Sequence, residues 1–75
     1  MDKLTELWQA LEILDGVTRL QKLGKRAVAF HFGGTQHSVY CNPDGESMVL
    51  FCLGNKIGVF RSVADVKENL TPISV

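Results

Sequence analysis

Three turn signals, each containing glycine, constrain the fold of this chain more than any other feature of its sequence. The pair Gly33-Gly34 supplies the positive φ angles that two-residue hairpin turns require. The segment Asn42-Pro43-Asp44-Gly45 has the pattern of a type I turn, and Gly54-Asn55 fits a type II′ turn, in which glycine comes first. The apolar or alternating segments around these turns are therefore predicted to form a four-stranded antiparallel β-meander over 27–32, 35–41, 47–53 and 56–60.

An amphipathic helix is predicted before the strands, because apolar residues recur there at the spacing of one helix face. These residues are Leu4, Leu7, Trp8, Leu11 and Leu14. Residues 17–23 fit either a short second helix or an edge strand, and we expect the helix. A C-terminal helix is predicted from Ser62, with Asp65 three residues later as a variant of the capping box, and Pro72 is expected to stop it.

This order of elements predicts an α+β fold: an N-terminal amphipathic helix, a short second helix, the four-stranded meander and a C-terminal helix. With 75 residues the chain has room for a single domain, residues 1–75. A chain this short buries only about 60% of its unfolded surface, so its core is small. Association with another chain would therefore add useful stability.

The turns also fix the strand register, and the register decides which side chains share a face of the sheet. The expected pairs are Phe32–Thr35, Cys41–Ser47 and Leu53–Lys56. On this register all four phenylalanines lie on one face, which is the core that the helices cover. The other face carries an apolar patch where an antiparallel sheet with one wet side should be polar. The patch and its rim comprise Tyr40, Met48, Leu50, Cys52, Ile57, Val59 and Arg61.

An apolar patch of this kind indicates an interaction surface. Residues 17–23, the tail 73–75 or a second chain could cover it, and the sequence leaves these alternatives open. We expect a small non-enzymatic protein-interaction module, a regulator, adaptor or inhibitor of a larger protein, that forms a homodimer through this face. Its size is compatible with a phage or mobile-element protein.

A basic segment supports an alternative function in nucleic-acid binding. Arg19, Lys22, Lys25 and Arg26 follow one another with no acidic residue between them, and Tyr40 could stack on a base. The overall charge argues against this alternative, because eight acidic and eight basic side chains give a net charge of zero.

Two cysteines and two histidines leave a small Cys/His enzyme as a further alternative. On the expected register Cys52 lies opposite Gln36, which places it two strand spacings, roughly 9 to 10 Å, from His31. Cys41 and Cys52 fall on different faces, so we expect reduced thiols rather than a disulfide. The spacing of these four residues contains no CxxC or HxxxH pair, so neither a metal nor another cofactor is predicted.

The sequence predicts a cytoplasmic protein that does not enter a membrane. Its longest apolar run, residues 48–53, is far shorter than the ~20 residues that cross a bilayer. The N-terminus is an acidic amphipathic segment without the apolar stretch of a signal peptide.

Overall fold

A computed structural model describes residues 3–70 of the chain, which form one antiparallel sheet and two helices. The elements are α1 (Lys3–Ile13), β1 (Val17–Leu23), β2 (Ala27–Phe32), β3 (Thr35–Cys41), β4 (Met48–Cys52), β5 (Asn55–Phe60) and α2 (Val63–Glu68). Each strand pairs with the next one in the sequence, in the order β1-β2-β3-β4-β5. The prediction of an α+β fold with an antiparallel meander is confirmed, but the sheet has five strands rather than four.

The additional strand is β1, and the prediction of a helix over residues 17–23 is wrong. Val17 pairs with Phe32 and Leu23 with Ala27, so the segment extends the sheet beside β2. A helix as short as this gains little stability from its own hydrogen bonds and forms only where packing supports it, as it does for α2. Pairing with β2 satisfies the same backbone groups, and it packs Leu20 against the core.

Both helices cover the same face of the sheet. Leu7 and Leu11 of α1 and Val63 and Val66 of α2 are buried in a single apolar cluster with side chains from the strands. The strand residues of this cluster are Val28, Phe30, Val39, Cys41, Met48 and Leu50. Within residues 3–70, no helix lies on the opposite face, which we call the uncovered face.

The start of α2 follows the predicted capping chemistry. Ser62 has an extended backbone, and its hydroxyl oxygen accepts a hydrogen bond from the Asp65 N–H at 3.1 Å. The helix ends at Glu68 with Asn69 as its C-cap. The expected stop at Pro72 lies outside the described residues.

The face assignment of β4 is wrong, because its register with β3 differs by one residue from the expected one. Cys41 pairs with Met48, not with Ser47, and Val39 pairs with Leu50. Met48 and Leu50 therefore lie on the core face, where each is 0% exposed. A one-residue slip moves every side chain of a strand to the other face.

The loop between β3 and β4 explains this shift. The predicted type I turn is present, since the Gly45 N–H donates to the Asn42 carbonyl at 3.0 Å. Asn42 and Ser47 form the last pair before the loop. The backbone N–H of Asn42 donates to the Ser47 carbonyl at 2.9 Å, and the side-chain amide of Asn42 donates to the Ser47 hydroxyl at 2.7 Å. Only residues 43–46 remain unpaired, one fewer than expected.

The turn between β4 and β5 also lies one residue earlier than predicted. Cys52 pairs with Asn55, so Leu53 and Gly54 are the central residues of the turn. Both have positive φ, 53° and 82°, which is the signature of a type I′ turn rather than the expected type II′ turn. A leucine thus adopts a backbone conformation that normally favours glycine or asparagine.

Candidate interaction surface

An apolar row crosses the entire sheet on the uncovered face. Successive cross-strand pairs join one residue from each of the five strands. This apolar row consists of Leu23, Ala27, Tyr40, Val49 and Val59. Leu23, Tyr40 and Val59 are 47%, 38% and 51% exposed, although they are large apolar or aromatic side chains.

The uncovered face becomes more polar with distance from the apolar row. The next row of paired residues is mixed and contains Gln21, Ala29, Ser38, Phe51 and Lys56. Beyond it lies a polar group of Thr18, His31 and Gln36. None of the side chains in these three rows is a carboxylate, and Lys56 is their single permanent cation. Depletion of charge around exposed apolar groups is typical of the core of a protein interface.

Both edge strands of the sheet carry a bulge. In β1 the register shifts between Thr18 and Gln21, and Arg19 has a φ of 53°. In β5 the shift leaves Ile57 without a partner, between the Leu50–Gly58 and Phe51–Lys56 pairs. Bulges interrupt the ladder of free N–H and C=O groups and so discourage edge-to-edge pairing with another chain. The bulges therefore disfavour extension of the sheet by another chain.

The structure places two of the predicted interface residues, Tyr40 and Val59, in the apolar row. Met48 and Leu50 belong to the core and are unavailable to a partner. Their place on the uncovered face is taken by Val49 and Phe51, which the expected register had put in the core.

The other three predicted interface residues lie elsewhere. Cys52 is half-buried and faces the core side, opposite His37. Ile57 is the extra residue of the β5 bulge and is 45% exposed. Arg61 follows β5 and is exposed. Hydrogen bonds from the backbone N–H groups of Glu46 and Ser47 lower the pKa of Asp44 in the β3–β4 loop, and the charge of Arg61 makes a smaller contribution in the same direction.

Sequence reasoning missed Leu23, Val49 and Phe51 as members of the uncovered face. Leu23 was missed because its segment was expected to be helical. Val49 and Phe51 were missed because the loop before β4 was expected to leave five residues unpaired, whereas it leaves four, residues 43–46.

The basic residues considered for nucleic-acid binding are distributed along β1 and the turn that follows it. Lys22 points to the helix side, where its ammonium lies 5.4 Å from the centre of the Trp8 ring. Arg19 sits in the bulge near the beginning of β1, whereas Lys25 and Arg26 lie in the turn beyond its end. The latter two line a small cavity of about 120 Å³. The nucleic-acid alternative stays a prediction.

The expectation that Cys52 faces Gln36 is wrong, because Cys52 is the direct cross-strand partner of His37. His37 is 1% exposed, stacks on the Phe30 ring at 5.6 Å, and donates from Nδ1 to the Thr35 carbonyl at 2.8 Å. Neither the 120 Å³ cavity nor a larger one of about 340 Å³ beside Arg19 is lined by this pair. A buried imidazole packed against an aromatic ring is suited to a structural role rather than to contact with a substrate.

The described part of the chain contains neither a metal-ligand cluster nor a membrane-spanning helix. Across residues 3–70, no three His, Cys, Asp or Glu side chains are grouped as metal ligands, and both cysteines are free thiols. Neither helix of this region has the length and apolar character needed to cross a bilayer. No protein-family model, curated protein or solved structure shows significant similarity to this chain.

Proposed function

We propose that this protein is a small non-enzymatic interaction module that forms a homodimer through the uncovered face of its sheet. The observation that carries the proposal is the apolar row, which crosses all five strands and leaves Leu23, Tyr40 and Val59 substantially exposed. Removing such side chains from water stabilises an association by about 25 cal/mol per Å² of apolar area. As a homodimer, the protein acts as a regulator, adaptor or inhibitor of a larger protein.

The charge distribution supports a second copy of the chain as the occupant. In an isologous dimer the same face meets itself, so a face with charges of a single sign brings like charges together. The three rows contain one lysine, Lys56, and no carboxylate, so this repulsion is small. The large exposed side chains of the apolar row are the natural centre of the contact.

The size of the face is just sufficient for a specific dimer. Five strands about 4.8 Å apart, each about six residues long at about 3.4 Å per residue, make a face of roughly 24 by 20 Å. Two such faces bury on the order of 1,000 Å², the lower limit of specific protein interfaces. We therefore expect a dimer of modest affinity that dissociates on dilution.

Sedimentation velocity over a range of concentrations tests the proposal with Val59→Asp and a matched control, Leu53→Asp. Both substitutions replace an exposed apolar side chain, 51% and 66% exposed, with a carboxylate. Val59 lies in the apolar row, whereas Leu53 lies in the β4–β5 turn outside the three rows. We expect the wild type and Leu53→Asp to dimerise and Val59→Asp to remain monomeric with unchanged circular dichroism.

A monomeric wild type at all concentrations would overturn the homodimer. It would indicate either a different partner or coverage of the face by residues 71–75, which lie outside the described region. A Val59→Asp variant that dimerises as well as the wild type would show that the contact uses another surface.

A further inference from the structure

The larger cavity, of about 340 Å³, opens at the polar end of the uncovered face. Its polar lining consists of Arg19, Gln21, His31 and Gln36, with Ala29 between them. Cavities that hold small molecules in proteins measure about 300 to 1,000 Å³, so this cavity can accommodate a small metabolite.

The β1 bulge builds one wall of this cavity. Two residues, Arg19 and Leu20, stand between the Thr18–His31 and Gln21–Ala29 pairs, so β1 departs from the regular ladder there. Leu20 packs against the core, while Arg19 adopts a positive φ of 53°. This backbone conformation is unfavourable for any residue other than glycine, asparagine or aspartate. Strained residues of this kind cluster at ligand sites, where bulges re-aim a side chain.

The polar groups around the cavity are rich in hydrogen-bond donors. Within residues 3–70, the side chains of Arg19, Gln21, His31 and Gln36 form neither a hydrogen bond nor an ion pair with the protein. The lining contains no carboxylate that would compete for the guanidinium group. Arginine presents a planar fork of N–H donors that matches carboxylate and phosphate oxygens, and carboxamides add further donors.

We propose that this cavity binds a small anionic molecule through carboxylate or phosphate oxygens, with Arg19 as the principal charged contact. Gln21, His31 and Gln36 supply hydrogen bonds to the same ligand. His31, at the far end of the site, lies four residues along β2 from Ala27 of the apolar row, about 14 Å at ~3.4 Å per residue, whereas Ala29 lies two residues from it. Arg19 and Val59 lie on opposite edge strands of the sheet, so substitutions at these two positions separate anion binding from dimerisation.

Isothermal titration calorimetry with inorganic phosphate and with citrate, at constant ionic strength in chloride, tests this proposal. The wild type should bind at least one of the two anions. A preference for phosphate or for citrate would identify which oxygens the natural ligand carries. Absence of heat with both anions, at protein and ligand concentrations that detect millimolar binding, would overturn the proposal.

Arg19→Gly is the decisive variant, since it removes the charge and relieves the positive φ. We expect its affinity to fall at least tenfold while its melting temperature without ligand stays equal or rises. The control is Lys67→Gln, which removes a cation from an exposed position on α2. It should bind like the wild type, and equal affinity of Arg19→Gly and the wild type would refute the site.

Two further variants separate the site from folding and from the dimer. Gln36→Ala should weaken binding several-fold without touching the bulge, which keeps the site testable if Arg19→Gly folds poorly. Val59→Asp should lose dimerisation and retain the anion affinity of the wild type. Loss of anion binding in Val59→Asp would instead show that the cavity depends on the apolar row, contrary to the proposal.

Discussion

Tyr40 lies directly opposite Val49, on the face of the sheet that neither α1 nor α2 covers. This pair fixes the orientation of β4, because the neighbouring residues Val39 and Leu50 are then opposed on the core face. It also joins the two halves of the apolar row, since Tyr40 pairs with Ala27 of β2 and Val49 pairs with Val59 of β5. The candidate interface and the core are thus decided by the same register.

The first prediction uses two adjacent residues of β4 to test this register. Leu50→Asp places a carboxylate in the core, at a cost of several kcal/mol, in a domain whose expected total stability is only about 4 to 11 kcal/mol. Val49→Asp places the same group on the uncovered face, where water reaches it. We expect Leu50→Asp to be unfolded by circular dichroism and Val49→Asp to be folded. The reverse result would mean that β4 has the opposite orientation.

The second prediction concerns strain in the β4–β5 turn. Leu53 has a φ of 53° and is 66% exposed, so its side chain contributes little burial in return for an unfavourable backbone. Leu53→Asn creates the Asn-Gly pair preferred in type I′ turns and should raise the free energy of unfolding by about 1 kcal/mol. Thermal unfolding should show a rise of about 4 to 8 °C. Leu53→Val is the control and should lower stability, because β-branched residues tolerate positive φ poorly.

The third prediction concerns the hydroxyl group of Thr35. Thr35 is 5% exposed, and its Oγ1 has no hydrogen-bond partner among the described residues. Thr35→Val has nearly the same shape without the buried polar atom, so we expect the free energy of unfolding to rise by about 1 kcal/mol. Thr35→Ser keeps the hydroxyl, loses a methyl group and should be destabilised. Chemical denaturation of the wild type and the two variants measures their free energies of unfolding. A Thr35→Val variant less stable than the wild type would reveal a hydrogen-bond partner for the hydroxyl.

The fourth prediction is a dependence of stability on pH through Asp44. Backbone N–H groups of Glu46 and Ser47 donate to the Asp44 carboxylate at 2.8 and 3.1 Å and hold its pKa below the ordinary value of 3.8, with smaller contributions from the Ser47 hydroxyl and the charge of Arg61. A carboxyl whose pKa is lowered by folding stabilises the folded state above pH 3.8, and this contribution is lost as the pH falls through the folded pKa.

Denaturation curves of the wild type and Asp44→Asn between pH 7 and pH 2 measure this effect. We expect the wild type to be the more stable at pH 7 and the difference to shrink below pH 3.8. Glu46→Gln is the matched control, because it removes a neighbouring carboxylate that accepts no hydrogen bond within residues 3–70. A pH dependence that is identical in Asp44→Asn and the wild type would contradict the assignment.

Strand pairing beyond a single turn was the part of the fold that sequence reasoning could not settle. Residues 17–23 carry apolar side chains at positions that suit either a helix or a strand, and the free edge of β2 decides in favour of the strand. The orientation of β4 depends on whether four or five residues remain unpaired before it. The hydrogen bonds of Asn42 and Ser47 settle that count, and they form only when the two strands are already side by side.

The sequence by itself determined the features that depend on neighbouring residues. The leucine face predicted α1, Gly33-Gly34 predicted the β2–β3 hairpin in the observed register, and Ser62 predicted the start of α2. Only the tertiary structure decided that β1 is a strand and that Val49, rather than Leu50, faces away from the core. The physical reason for this difference is that turn and cap preferences act over only three or four neighbouring residues. The face of a strand depends instead on register, and the pairing of the whole sheet is strong enough to hold even Leu53 in an unfavourable conformation.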